Sequence, residues 1–221
     1  MPFDSHSIKT QSFSVPEIIP FFPLPSVVLF PHIFLPLHIF EPRYRDMVKD
    51  IASKGDCIGM ALLKDGWEDH YYEGPPIHDL GCVGQLVNVE ELTDGRYNIV
   101  LKGLQRCHYD ELSVATPYRQ ATVTLLPESL DSLSLSEVAR TKLVDVAESY
   151  LDMKKAHDLS QLIASEEFDD AVLVNSLSSG LDLTPLEKQF LLEAEHLAQR
   201  ASRLTELLKF KLADLLSSAQ G

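Results

Sequence analysis

The chain has 221 residues, 45% of them apolar and 24% charged, enough for one large domain or two small ones with a substantial core. Its formal net charge is -14, and both halves share it: residues 1–134 carry 10 basic and 18 acidic side chains, residues 135–221 carry 9 and 15. Neither half offers the dense Lys/Arg stripe that phosphate backbones and anionic lipids require, so nucleic acid and membrane are poor partners.

The chain divides near residue 130 into halves of different periodicity. Residues 1–17 are polar and turn-rich and are expected to form a loose tail. The stretch from Ile18 to Phe40 is the most apolar. Pro20, Pro23, Pro25, Pro31 and Pro36 cut it, so it reads as short strands rather than a helix or membrane span. Ile18–Leu24, Val27–Leu29 and Ile33–Ile39 are the strands expected there. A helix follows, with Pro42 in its first turn, Tyr44, Met47, Val48 and Ile51 on one face and Gly55 at its stop. Cys57–Leu63 is a further strand. Val83–Leu92 and Arg96–Tyr109 flank Asp94-Gly95, a tight-hairpin signal, and Arg119–Leu126 closes the series before Pro127. About six strands and one helix, rich in prolines and hairpins, predict a small closed or half-closed barrel.

The second half reads as helical. Ser134-x-x-Glu137 is a capping-box pattern opening a helix to about Asp152, and Asp169 or Asp170 can cap a second one to Gly180. Thr184-Pro185-Leu186-Glu187 combines an N-cap, a proline at N1 and a glutamate at N3, which specifies a helix start. From Phe190 through Ala194, Leu197, Ala201, Leu204, Leu208 and Leu212 to Leu215, one apolar stripe predicts a single long helix. That seam is expected to pack on the other helices as a bundle, with a coiled-coil contact to a second chain as the alternative.

Motifs of catalysis are scarce. No glycine is followed by lysine, so no phosphate loop exists, and no GxSxG, HExxH or DxDxDG pattern occurs. The eight histidines show no ligand spacing. Cys107-His108 suggests a nucleophile beside a base, but neighbours on a strand point to opposite faces. Glu90-Glu91, Glu166-Glu167 and Asp169-Asp170 read as solvated faces or helix starts. Cys57, Cys82 and Cys107 are far apart and form neither a disulfide framework nor a metal knuckle, and Cys57 and Cys82, each near a glycine at a strand start, suit small apolar packing positions. With no basic-then-apolar secretory start, a reducing, cytoplasmic location is expected.

Phe22-Pro-Leu-Pro-Ser-Val-Val-Leu-Phe-Pro31 and Leu35-Pro-Leu-His-Ile-Phe-Glu-Pro-Arg-Tyr-Arg45 are far more specific. Together with Cys57–Met60, Gly81–Gly84, Asp94–Tyr97, Lys102–Arg106 and Thr184–Glu193, in that order, they resemble the Lon protease amino-terminal, substrate-binding domain family. Two positions depart from its pattern: His32, where glycine is common, and Cys107-His108, where an aromatic and a basic residue are common. The resemblance implies an α+β fold: a PUA-like β-barrel with one inserted helix over residues 18–130, then a C-terminal helical bundle ending in a long helix over 131–221. It also implies a non-catalytic polypeptide-binding module. The ATPase and Ser–Lys peptidase domains that follow in full-length Lon proteases are not expected in this chain. Expected partners are unfolded or peptide substrates and a protease, with no cofactor and no metal. Small-molecule or nucleic-acid recognition through the barrel is the alternative.

Two sets of residues are candidates for the site. Phe40, Glu41, Pro42, Arg43, Tyr44 and Arg45 read mainly as architecture, because Pro42 pre-sets a helical turn and Glu41 favours a helix N-terminus. The loop Asp65–Leu80 holds Trp67, Tyr71, Tyr72, Pro75 and Pro76, aromatic and proline surface suited to an extended peptide. The same side chains would equally serve as a lid folded on the barrel.

Overall fold

The computed structural model describes residues 14–54, 57–128, 134–155, 159, 163 and 168–218. Expectations for residues 1–13, for Gly55 and for Glu166-Glu167 lie outside them. Six strands form the first half: β1 (Ile18–Leu24), β2 (Phe34–Ile39), β3 (Cys57–Leu62), β4 (Leu80–Glu91), β5 (Tyr97–Leu112) and β6 (Gln120–Leu126). Helix α1 (Pro42–Lys54) lies between β2 and β3. The described helices of the second half are α2 (Glu137–Lys154), α3 (Asp170–Gly180), α4 (Pro185–Leu192) and α5 (Leu197–Ser218).

The barrel closes because β5 is long enough to serve two partners. Its first part, Tyr97–Lys102, pairs with β2, and its last part, Arg106–Leu112, pairs with β6. Strand β4 runs antiparallel along both parts, with register shifts at Val83/Gly84 and Leu86/Asn88 that bend the ribbon. β3 pairs with β4, β1 lies parallel to β3, and β6 pairs with β1, completing the ring. Inside sit Phe22, Leu29, Met60, Cys82, Ile99 and Leu101, and α1 covers them with Tyr44, Met47, Val48 and Ile51. That is the face expected of α1.

A second core lies among the helices, where Leu143, Tyr150, Leu173, Leu177, Leu204 and Leu208 meet. The apolar seam of α5 packs against α2, as a bundle requires. Three expectations need correction here. Val27–Leu29 belongs to no strand, although Val28 and Leu29 are buried and Val27 partly so. Its side chains alternate between two cores: Leu29 enters the barrel while Val28 and Phe30 enter the helical unit. A segment wedged between two apolar bodies is apolar throughout, which sequence alone cannot tell from a strand. Beyond it, His32 adopts φ 68°, the left-handed region that glycine favours, and its amide donates to the Gly103 carbonyl at 2.8 Å.

The capping box at Ser134 does not form. Ser136 is the N-cap of α2, accepting from the Ala139 amide, while the Leu135 amide donates to Asp170 of α3 at 2.7 Å. A tertiary carboxylate therefore holds the chain outside the helix for two more residues. Asp169 caps α3 as expected, and the capping box of Thr184 and Glu187 opens α4 with both bonds present.

The predicted single long helix is two helices. Residues 193–196 break it, so Ala194, Leu197, Ala201, Leu204 and Leu208 stay on the buried seam while Phe190 is 49% exposed. Arg106, reaching over from β5, donates to the carbonyls of Leu192 (3.2 Å), Ala194 and Glu195 (2.8 Å). Acceptors that would continue the helical ladder are thereby taken by a guanidinium. The chain restarts with its own cap: His196 Nδ1 accepts from the Gln199 amide at 3.2 Å, and Gln199 Oε1 accepts from the Glu195 amide at 2.7 Å.

Candidate functional site

The two sequence candidates meet in space. β2 delivers Phe40 to the surface, and Glu41 stands before Pro42 with its carbonyl accepting from the Tyr44 and Arg45 amides as α1 begins. The Glu41 carboxylate accepts from Arg43 Nε at 3.1 Å and from the Tyr71 hydroxyl at 2.8 Å. Arg43 lies over the rings of Tyr44 (4.5 Å), Tyr71 (4.8 Å) and Tyr72 (5.3 Å), a cation held among three aromatic faces. Tyr44 in turn packs on Phe22 with ring centroids 4.0 Å apart. Burial, then the bond to Glu41, raises the Tyr71 hydroxyl above its ordinary range, so it stays a neutral donor. Arg45 does not join this cluster; it lies against Gly95 of the β4–β5 hairpin.

The loop is anchored at both ends. Leu63 and Ile77 form a bridge, the Lys64 amide donates to the Pro76 carbonyl and the His78 amide to Leu62. Pro75 is buried and its carbonyl accepts from Arg119 at 2.9 Å. Between these anchors, Trp67 meets Tyr71 edge-on at 5.7 Å, and Tyr71 meets Tyr72 at 5.1 Å. Tyr72 is 80% exposed, Phe40 is 62% exposed, Pro76 is exposed and Trp67 is half-buried. The base of this aromatic group is therefore fixed and its outer edge is open.

A cleft of about 620 Å³ lies at the base of the same loop, between the barrel and the helical unit. Leu80, Leu126 and Pro127 supply its apolar lining, and the loop ends bring Lys64, His78 and Asp79 to its rim. His108 of β5 lines it too, whereas the adjacent Cys107 is fully buried on the other side of the strand. Burial pushes the Cys107 thiol up to about 12, which keeps it protonated at neutral pH. The helical wall is Glu193 and Glu195, from the break between α4 and α5.

Behind the cleft is a buried ionic joint. Glu128 accepts from Arg200 at 2.7 Å and lies 3.1 Å from Arg106 Nε, and both arginines are almost wholly buried. Arg200 also reaches the Leu191 carbonyl (3.2 Å) and Asn175 Oδ1 (2.9 Å), while Asn175 Nδ2 donates to the Pro31 carbonyl. Gln189 Nε2 donates to the Leu80 carbonyl at 2.9 Å. Sequence reading missed this site because its members come from five separated segments. Arg106 and Gln189 stood in motifs, but without partners. Among the described residues, no group of three or more His, Cys, Asp or Glu side chains is placed to hold a metal, and no helix is long and apolar enough to cross a membrane.

This fold has known counterparts. The family model of the ATP-dependent protease La (Lon) substrate-binding domain matches residues 18–209. The chain belongs to the Lon substrate-binding domain family. Among curated Lon proteases, that of Parabacteroides distasonis is 29% identical over 213 residues, 93% of this chain and 26% of the relative. The Lon protease of Flavobacterium johnsoniae is 27% identical over 97% of this chain and 26% of its own length. The chain thus spans about a quarter of these relatives. Two solved structures share the fold: the Lon N-terminal domain protein from Xanthomonas campestris (TM-score 0.63, 23% identity, 85% of this chain and 96% of that one) and the N-terminal domain of Mycobacterium avium complex Lon protease (TM-score 0.65, 17% identity, 87% and 98%). Family membership establishes a substrate-recognition module with the α+β architecture expected from the sequence.

Proposed function

We propose that this Lon-type domain holds extended, unfolded polypeptide segments through the open edge of the aromatic group, Trp67, Tyr72 and Phe40. The observation that carries the reading is the match to a substrate-binding domain across residues 18–209, joined to an exposed Tyr72 on a base fixed by Glu41, Arg43 and Tyr71. Rigid aromatic side chains bury large area with little loss of rotamer freedom, which favours binding to chains that must themselves be ordered. Pro76 extends this surface, and buried Pro75 positions it. The domain itself does no bond-breaking in this reading; it delivers segments to a protease partner or keeps them from aggregating. Its three cysteines, all buried and none in a disulfide, suit a reducing, cytoplasmic compartment.

The test is suppression of light scattering by a heat-labile client, with anisotropy titration of a labelled apolar peptide. Trp67→Ala with Tyr72→Ala should weaken peptide binding by about tenfold, the scale of losing an aromatic anchor. A wild-type domain that neither suppresses scattering nor binds peptide overturns the proposal.

A further inference from the structure

We propose that the cleft between barrel and helical unit is a pocket for a basic side chain, arginine or lysine, of the bound polypeptide; this rests on the polypeptide-binding reading above. Its volume of about 620 Å³ lies within the range of ligand pockets, and its lining has the two parts such a side chain needs. Leu80, Leu126 and Pro127 offer apolar surface to an aliphatic stem. The charge at its mouth follows from pairing. Lys64 and Asp79 neutralise one another at 3.1 Å. Arg106 shares Glu128 with Arg200 and donates to three backbone carbonyls, so this joint keeps one positive charge. Against that one charge stand two carboxylates, Glu193 and Glu195, both exposed on one wall, so the formal balance of the cleft is acidic. Gln189 Nε2 donates to Glu193 Oε1 at 2.8 Å and His78 Nδ1 lies 3.5 Å from the same oxygen, which orients this group without neutralising it while the imidazole is uncharged.

The break in the helix is what creates the acidic wall. A continuous helix through residues 193–196 would carry Glu193 and Glu195 to different azimuths, about 200° apart at 3.6 residues per turn. With Arg106 holding the intervening carbonyls, both side chains line one cleft. The loop ends Lys64 and His78 also line it, so one loop carries the aromatic edge between its anchors and the rim of the cleft at its base. A net charge of -14 raises the encounter rate with basic segments further.

The decisive experiment is anisotropy titration of two labelled peptides that share their apolar residues and differ only in arginine against citrulline, the neutral isostere. Wild type should bind the arginine peptide about tenfold more tightly, with the advantage shrinking as salt rises. Glu195→Gln should reduce the advantage, and Glu193→Gln with Glu195→Gln should abolish it while citrulline-peptide binding persists. A charge-matched control, Glu148→Gln with Asp152→Asn on the exposed face of α2, should keep it. Equal affinities in wild type overturn the pocket but leave polypeptide binding standing, whereas no binding of either peptide overturns both. Loss of preference in the control assigns the effect to net charge and overturns the pocket. Tighter binding of spermidine than of either peptide would make free polyamines the occupant and overturn it as well.

Discussion

The aromatic loop and the ionic joint both fasten one part of this molecule to another, and they do so by opposite means. The loop rests on local charge and ring contacts at the surface: Arg43 among Tyr44, Tyr71 and Tyr72, with Glu41 closing the group. Several contacts share the duty, and each contributes on the order of 0.5–1 kcal/mol. At the joint, one carboxylate, Glu128, sits between two buried arginines whose remaining donors go to backbone carbonyls and Asn175. Removing Glu128 there leaves two buried arginines without a counter-charge, and removing Arg106 leaves carbonyls without a donor. A surface meant to meet partners tolerates change, and a buried polar joint does not.

That contrast can be broken or sharpened, and Arg106→Met is the most severe way to try. It leaves Glu128 paired with Arg200 alone but strips three carbonyls of their donor, so urea unfolding should show a loss of about 2–3 kcal/mol. Residues 193–196 should then gain helix, visible as increased helical amide connectivity in NMR spectra of the folded variant. A loss below about 1 kcal/mol would mean that the joint is not the unit described here. Next comes Gly103→Ala. A Cβ at Gly103 would collide with the Phe30 carbonyl in the wedged connector, and the expected cost is about 1–3 kcal/mol by the same measurement.

A smaller effect is expected at the start of α4. Burial alone would raise the Glu187 carboxyl, but the bonds from Lys211 and the Thr184 amide outweigh it and hold its pKa below the usual range. A carboxyl depressed on folding stabilises above its unfolded pKa, and the contribution fades as pH falls through the folded one. Glu187→Ala should cost about 0.5–1 kcal/mol at pH 7, discounted for its partial exposure, with the gap to wild type closing under acid. His32→Gly should act in the opposite direction, because φ 68° strains any side chain there; a gain of about 1 kcal/mol in thermal unfolding is expected. Tyr72→Ala should move stability least, by less than about 0.5 kcal/mol, while peptide affinity falls. A large stability loss with unchanged affinity would make the loop a structural lid and would end the contrast.

Much of the architecture was legible because it rests on short-range rules. Period-two strands, the Asp94-Gly95 hairpin, Pro42 at the start of α1, and the caps at Asp169 and Thr184 each depend on residues within a few positions of one another. The errors share one cause. At Val27–Leu29, at Ser134 and at residues 193–196, a distant partner outcompeted the local preference: two cores in the first case, Asp170 in the second, Arg106 in the third. Of the candidate site, the sequence marked the aromatic residues and the segment Phe40–Arg45, but not that Tyr71 and Arg43 would share Glu41.

By itself, then, the sequence determined the class of fold, the order of its elements and the family, since periodicity and motif order are properties of the chain. Only the tertiary structure decided where the last helix breaks, how the barrel closes through a double-duty β5, and which carboxylates line the cleft. Those outcomes depend on long-range pairing, where a buried arginine must find acceptors wherever the fold places them. No local pattern encodes that address.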